Sequence, residues 1–152
     1  MKIGVISDTH GLLRPEALAA LAGVEHILHA GDVGDISILA SLRGIAPVTA
    51  IRGNVDGHGE CAELPETEAV ELDGRLFYLV HSVYDLDLNP VTAKVAVVVS
   101  GHSHKPGTER KGGVLYLNPG SAGPRRFSLP VTVAIVTLGD EIAVEIVDLK
   151  VR

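Results

Sequence analysis

The chain has 152 residues, 46 % of them hydrophobic, with a mean hydropathy of +0.29; a chain this long buries about two-thirds of its unfolded surface, so the composition excludes disorder and suits one domain spanning residues 1–152. Thirteen basic against nineteen acidic residues give 13 − 19 = −6 without a basic block, which argues against general binding to nucleic acid or to a membrane surface. The single Cys61 excludes an internal disulfide framework, and with no leader pattern at Lys2-Ile3-Gly4 and no apolar run of membrane-spanning length, a cytoplasmic protein is expected.

Lys2–Ser7 reads as a buried strand. A helix opens near Pro15, since proline suits a first turn, with Ala17, Leu18, Leu21 and Ala22 as its apolar stripe and Gly23 as its stop. His26–Ala30 is a second strand, Ile36–Leu42 a second helix closed by Gly44, and Val48–Ile51 a third strand. Such β-α-β-α-β alternation predicts a parallel sheet. Gly57–Glu68 is polar, contains Pro65 and reads as a loop. Ala69–Leu72 and Arg75–Val80 form a hairpin around Asp73-Gly74. Asp85–Lys94 is expected to hold a short helix limited by Pro90, before a strand over Lys94–Ser100. Lys111-Gly112-Gly113 separates two extended segments, and Val131–Leu138 pairs with Glu141–Leu149 across Gly139-Asp140. The second half is therefore mixed or antiparallel, and two sheets packed face to face with helices outside would house both halves.

Seven side chains of metal-binding type follow these strands: Asp8, His10, Asp32, Asn54, His81, His102 and His104. In open α/β sheets functional groups gather beyond the carboxyl ends of the strands. Two carboxylates, one amide and four imidazoles converging there suit a pair of divalent cations. Asp32 is the choice for a bridging ligand, because a carboxylate can reach two cations through its two oxygens. Asn54 offers an amide oxygen to a metal and an NH₂ to a phosphate, and Gly101 permits a sharp loop before His102 and His104.

The ordered set D-x-H (Asp8–His10), Gly31-Asp32, Gly53-Asn54-Val55-Asp56, His81 and Gly101-His102-Ser103-His104 resembles the calcineurin-like metallophosphoesterases. Ser7–Gly11 (SDTHG) and Asn118–Ser121 (NPGS) are similar to the compact bacterial and archaeal phosphodiesterase branch. The resemblance runs from Met1 to about Arg126. It implies a four-layer α-β-β-α sandwich in the α/β class and a dinuclear centre holding Mn²⁺ first, with Ni²⁺, Fe²⁺ or Zn²⁺ as alternatives. One metal would take Asp8, His10, Asp32 and His104; the other would share Asp32 and take Asn54, His81 and His102. The implied reaction is hydrolysis of a small or nucleotide-derived phosphodiester by a water bridging the two metals, without a covalent enzyme intermediate.

Two positions depart from the pattern. Many members carry a histidine after Gly-Asn, where it protonates the leaving group; Val55 stands there and cannot. His58 is the substitute acid candidate, or else merely exposed on its glycine-flanked loop. His81 is followed by Ser82 where relatives have glycine, which changes loop shape rather than the ligand. Asn118–Ser121 is read as a segment closing over the site, with Arg125 and Arg126 either gripping phosphate or simply solvated. Two other readings stay open: a protein-interaction scaffold, as in the retromer subunit of this fold, and a phosphomonoesterase. Apolar residues in the last hairpin are a possible basis for a homo-oligomer.

Overall fold

The computed structural model describes residues 1–151. Its strands are β1 (Lys2–Ile6), β2 (His26–His29), β3 (Val48–Ala50), β4 (Thr67–Leu72), β5 (Arg75–Val80), β6 (Val97–Val99), β7 (Gly107–Lys111), β8 (Val114–Asn118), β9 (Thr132–Leu138) and β10 (Ile142–Asp148). Two α-helices, α1 (Pro15–Ala20) and α2 (Ser37–Arg43), connect β1 to β2 and β2 to β3. One five-stranded sheet runs β10-β9-β1-β2-β3, and the other runs β4-β5-β6-β8-β7. β1, β2 and β3 are parallel, as are β5, β6 and β8, whereas β9, β10, β4 and β7 pair antiparallel. The parallel strands run from the middle to one edge of the first sheet and form the centre of the second, and their carboxyl ends carry the site.

Alternation along β1 divides the core. Ile3 and Val5 join Leu28, Phe77, Leu79, Val97, Val99 and Leu117 between the two sheets, while Ile6 joins Ala17, Leu21, Ile27, Leu39 and Leu42 under the helices. That is the period-two pattern of a strand buried on both faces. Gly4 lies against the end of α1, where a side chain would collide with Leu21. The final hairpin divides in the same way: Ile142, Val144 and Ile146 pack between the sheets, Ile135 and Val147 on the helix side. Its apolar residues thus have partners within the chain, which is why the sequence looks surplus there.

The fourth layer differs in detail from expectation. Leu86 and Leu88 cover Tyr78, Val80, Val95, Val98 and Val114 on the outer face of the second sheet, and among the described residues no α-helix lies there. Asp85–Lys94, expected to be a short helix, contains one hydrogen-bonded turn. Asn89 accepts from Val91 N and Thr92 N through its side chain and from Ala93 N through its carbonyl. Val95 N then bonds Pro90 O and Lys94 N bonds Val91 O, with Lys94 at φ 59°. This left-handed helix stop ends the turn one residue after it closes, with a lysine where glycine is usual. A 3₁₀ turn at Glu60–Glu63 also appears inside the stretch read as a loop, and another at Val83–Asp85.

Candidate functional site

Just past β1 and β2 the chain leaves regular strand geometry without losing its pairing. Asp8 N bonds Gly31 O, His10 N bonds Asp32 O and Gly11 N bonds Val33 O. Meanwhile Asp8, His10 and Asp32 take φ values of 55°, 47° and 54°; His102 and His104 take 68° and 62°. Among the described residues nine non-glycines have positive φ, and five of them belong to the seven metal-type residues. A non-glycine backbone in this region is costly and persists where the surroundings enforce it, as at functional sites.

The enforcement is visible. Ser7 Oγ donates to Asp8 Oδ2 at 2.8 Å, and His102 N donates to the same oxygen at 3.1 Å. Val55 N donates to Asp32 Oδ1 at 3.0 Å. Each carboxylate is thereby tied through one oxygen and presents the other. Asp8 Oδ1 lies 3.4 Å from His104 Nε2, 3.7 Å from His10 Nε2 and 3.8 Å from His81 Nε2. Asp32 Oδ2 lies 3.1 Å from His81 Nε2 and 3.5 Å from His10 Nε2. His81 and His102 rings stand edge to face 5.3 Å apart, and His10 and His104 rings 5.4 Å apart. Asn54 Nδ2 is 3.4 Å from His102 Nδ1, and both residues are exposed. The geometry is two imidazole pairs with two carboxylates between them. Asp32 Oδ1 accepts from the Val55 N–H, and Oδ2 is the oxygen within 3.5 Å of His10 and His81.

Four buried side-chain atoms have no hydrogen-bond partner among the described residues: Asp8 Oδ1, His10 Nε2, His81 Nε2 and His104 Nδ1. One such atom costs about 1–3 kcal/mol when nothing compensates it. Ligand atoms of Asp8, His10 and His104 lie within 4.8 Å of one another, as do those of Asp8, Asp32 and His81. Oxygen and imidazole donors left unpaired together fit a divalent cation. His81 is oriented for that task, because its Nδ1–H donates to Ala30 O at 2.7 Å and turns Nε2 to the carboxylates, where it can take a cation or a proton.

The titration behaviour points the same way. Burial alone would raise Asp32, but His81, the Val55 N–H and the His10 charge hold it far below the usual carboxylate range. Burial alone would lower His81, yet Asp32, the Ala30 carbonyl and the Asp8 charge raise it. Asp8 is raised by burial against the opposing charges of His81 and His104. His104 is lowered by burial despite Asp8, with Arg126 adding to the effect. The carboxylates thus draw positive charge to the point that His81 Nε2 faces.

Other expectations fare differently. Arg126 is exposed and near enough to His104 for its charge to act there. Arg125 is corrected: it donates to Val151 O at 2.8 Å, fastening the carboxyl-terminal segment instead of reaching a substrate. His58 is not brought to the cluster. Gly59 at φ 69° turns the chain into the 3₁₀ turn, and His58 lines an open cavity with Gly34, Asp35, Val55 and Cys61. Asn118–Ser121 supports the site rather than covering it. Asn118 Nδ2 bonds Gly101 O and Ser103 Oγ at 3.0 and 3.1 Å, and Ser121 Oγ bonds Asp8 O at 3.0 Å. β8 lies beside β6, so its end meets the loop carrying His102 and His104. Asp56 is buried and accepts from Val33 N, Gly34 N and Gly53 N at 2.9–3.0 Å, joining the loops after β2 and β3.

Residues 1–141 match the family described as the calcineurin-like phosphoesterase superfamily domain. A probable metallophosphoesterase of Methanothermobacter thermautotrophicus is 35 % identical over 159 residues, covering 97 % of this chain and 92 % of the relative. Phosphodiesterase YfcE of Escherichia coli is 30 % identical, over 80 % of this chain and 79 % of that protein. A solved structure described as a novel archaeal phosphodiesterase superposes with a TM-score of 0.79 at 26 % identity, covering 97 % of this chain and all of that one. With the paired sheets, the strand-end cluster and a match across most of its length, the chain belongs to the calcineurin-like phosphoesterase superfamily and is a metal-dependent phosphoesterase.

Proposed function

We propose that this protein hydrolyses a small or nucleotide-derived phosphodiester with two divalent cations, Mn²⁺ ahead of Ni²⁺, Fe²⁺ or Zn²⁺. The observation that carries the reading is the convergence of His10 and His81 Nε2 on Asp8 Oδ1 and Asp32 Oδ2, with His104 Nε2 beside Asp8 Oδ1, where Asp8 Oδ1, His10 Nε2 and His81 Nε2 are buried without a hydrogen-bond partner. One cation would be held by Asp8, His10, Asp32 and His104, the other by Asp32, Asn54, His81 and His102. The two imidazole pairs support that division, and Asp8 Oδ1, within 4 Å of histidines from both pairs, is a second candidate for the shared ligand. The diester rather than the monoester is favoured by the phosphodiesterase names of the relatives.

Bound cations of this kind supply Lewis acidity towards phosphoryl oxygens and lower the pKa of water near neutrality. The chain's own residues position and neutralise. Asp8 and Asp32 hold their ligating oxygens still because Ser7, His102 N and Val55 N grip the opposite oxygens. Asn54, exposed beside His102, directs its NH₂ towards a phosphoryl oxygen, and the Arg126 guanidinium offers charge on the His104 side. Val55, 42 % exposed, can place a methyl but not a proton near the leaving group. Water therefore protonates the departing oxygen, and esters with good leaving groups react best. A cytoplasmic setting belongs to the same proposal; no helix among the described residues is long and apolar enough to cross a membrane.

The test is hydrolysis of bis-p-nitrophenyl phosphate against p-nitrophenyl phosphate by metal-stripped protein given Mn²⁺, Ni²⁺, Mg²⁺ or Zn²⁺. Metal-dependent preference for the diester is expected. Preference for the monoester would reassign the protein as a phosphatase, and absence of turnover in protein carrying two ions would favour a binding role.

A further inference from the structure

His29 is fully buried at the end of β2, beneath the loops that carry Asp8, His10 and Asp32, and touches none of the seven metal-type side chains through a hydrogen bond. Its contacts fix every proton. Gly31 N donates to Nδ1 at 3.1 Å, so that nitrogen carries a lone pair. The ring proton is then on Nε2 and is donated to Thr9 Oγ1 at 3.0 Å. Thr9, also fully buried, donates its own hydroxyl to Val33 O at 2.8 Å. Val33 N in turn donates to Asp56, which holds Gly53 N ahead of Asn54. Burial pushes His29 down to about 4, so the neutral ring that this pattern requires is the form present.

The bracket has a task that regular pairing cannot perform. β1 and β2 end before the metal-type residues begin, and Asp8, His10 and Asp32 all stand at positive φ. Three backbone bonds continue between the two loops, but the angle between Asp8 and Asp32 depends on how the kinked segments are braced. Resting on the metal-dependent reading above, we propose that His29 and Thr9 are positioning residues that set the spacing of Asp8 and Asp32, and with it the geometry in which the cations are bound. Neither residue meets solvent or substrate, so neither is catalytic. The hydrogen-bond partners of metal ligands commonly tune affinity 10–100-fold; this pair would act one step further out, through the loop backbone.

The variants separate the two halves of the bracket. His29→Asn keeps an acceptor for Gly31 N but cannot reach Thr9; His29→Gln carries an amide N–H out to Thr9. Thr9→Val removes the hydroxyl at constant shape. Each is titrated with Co²⁺ after metal stripping, reading affinity and the visible ligand-field spectrum, with circular dichroism and the melting temperature of the metal-free protein measured alongside. His29→Asn and Thr9→Val should weaken Co²⁺ binding by at least about tenfold and shift the spectrum, and His29→Gln should restore both towards wild type. If Thr9→Val or His29→Asn is folded and melts lower, yet binds Co²⁺ with unchanged affinity and spectrum, the bracket is a fold-stabilising contact only and the proposal is wrong. His29→Gln no better than His29→Asn would overturn the Thr9 link. Should His29→Asn fail to fold, Thr9→Val decides alone. A wild-type protein that binds no Co²⁺ would overturn the metal reading itself, and this inference with it.

Discussion

A methyl group on residue 101 would collide with Ser7 Oγ and crowd Asp8 Oδ2. Position 53 is equally closed, against Asp32 Oδ1 and its own backbone N–H, and position 31 would bring a methyl to 2.8 Å from His81 Nδ1. These glycines let backbone approach the two carboxylates from opposite sides. Gly101→Ala should therefore displace Asp8 and cost roughly 10–100-fold in metal affinity, measured by titration of stripped protein. The melting temperature of the metal-free form should fall as well, because the added methyl overpacks the buried Ser7 and Asp8. Val55 is the converse case, with room but no chemistry. Val55→His should raise turnover of alkyl esters by at least about tenfold and that of p-nitrophenyl esters much less, because only poor leaving groups need a proton. Equal gains on both would mean the new imidazole acts elsewhere. All seven metal-type residues were legible in the sequence, since strand runs ending in Asp, Asn or His are visible without coordinates. His29 lies inside an apolar strand, from which the sequence implies burial and nothing more. Nothing in the sequence distinguishes a histidine that merely packs from one whose two nitrogens brace neighbouring loops. Arg125 failed for a related reason: the partner that claims it, the Val151 carbonyl, is 26 residues away along the chain.

Among the elements, strands and helices with an apolar period were readable, and the irregular cover of the second sheet was not. The hairpin around Asp73-Gly74, with Asp73 at φ 49° and Gly74 at φ 78°, has the primed-turn geometry that its Asp-Gly pair announces. Asp85–Lys94 misled because Leu86 and Leu88 suggest a packed face, and they do pack, but from coil. The segment turns once and is stopped by Lys94 in the left-handed region, a stop the sequence does not mark with glycine. Lys94→Gly should consequently stabilise the protein by roughly 0.5–1 kcal/mol. Denaturant unfolding of the two proteins would show this as a higher midpoint at unchanged slope; a lower midpoint would mean that the lysine side chain, not the backbone, secures the turn.

For the whole molecule, the two sheets form one apolar interior whose polar exceptions gather at one end. Thr9, His29, Asp8, Asp32, Asp56, His81 and His104 are all buried there. That concentration makes stability depend on pH. His29 is lowered from 6.5 to about 4, so the unfolded chain takes up a proton before the folded one does. Its contribution is complete above pH 6.5, declines as the pH falls from 6.5 to 4, and amounts to roughly 3 kcal/mol over that window. Asp8, raised by burial, works in the opposite direction at acid pH. Urea unfolding of metal-free protein between pH 7 and 4.5 should therefore show a steeper loss in wild type than in His29→Gln, which has no imidazole to protonate. Parallel profiles would mean that the ring is already charged or already wet. The sheet order was partly legible in the same sense: the β-α-β-α-β half dictates the parallel run β1-β2-β3, but the other side of β1 is taken by β9 from the far end of the chain, with Gly4 opposite Ile135.

In the function proposed above, carboxylates and imidazoles from both sheets hold the cations that the hydrolysis requires. The most direct measurement is the Asp32→Ala protein, assayed for bound metal by elemental analysis and for bis-p-nitrophenyl phosphate turnover beside wild type. The variant is expected to stay folded, lose both ions or nearly so, and turn over at background. An Asp32→Ala protein with wild-type metal content and full activity would contradict the proposed function.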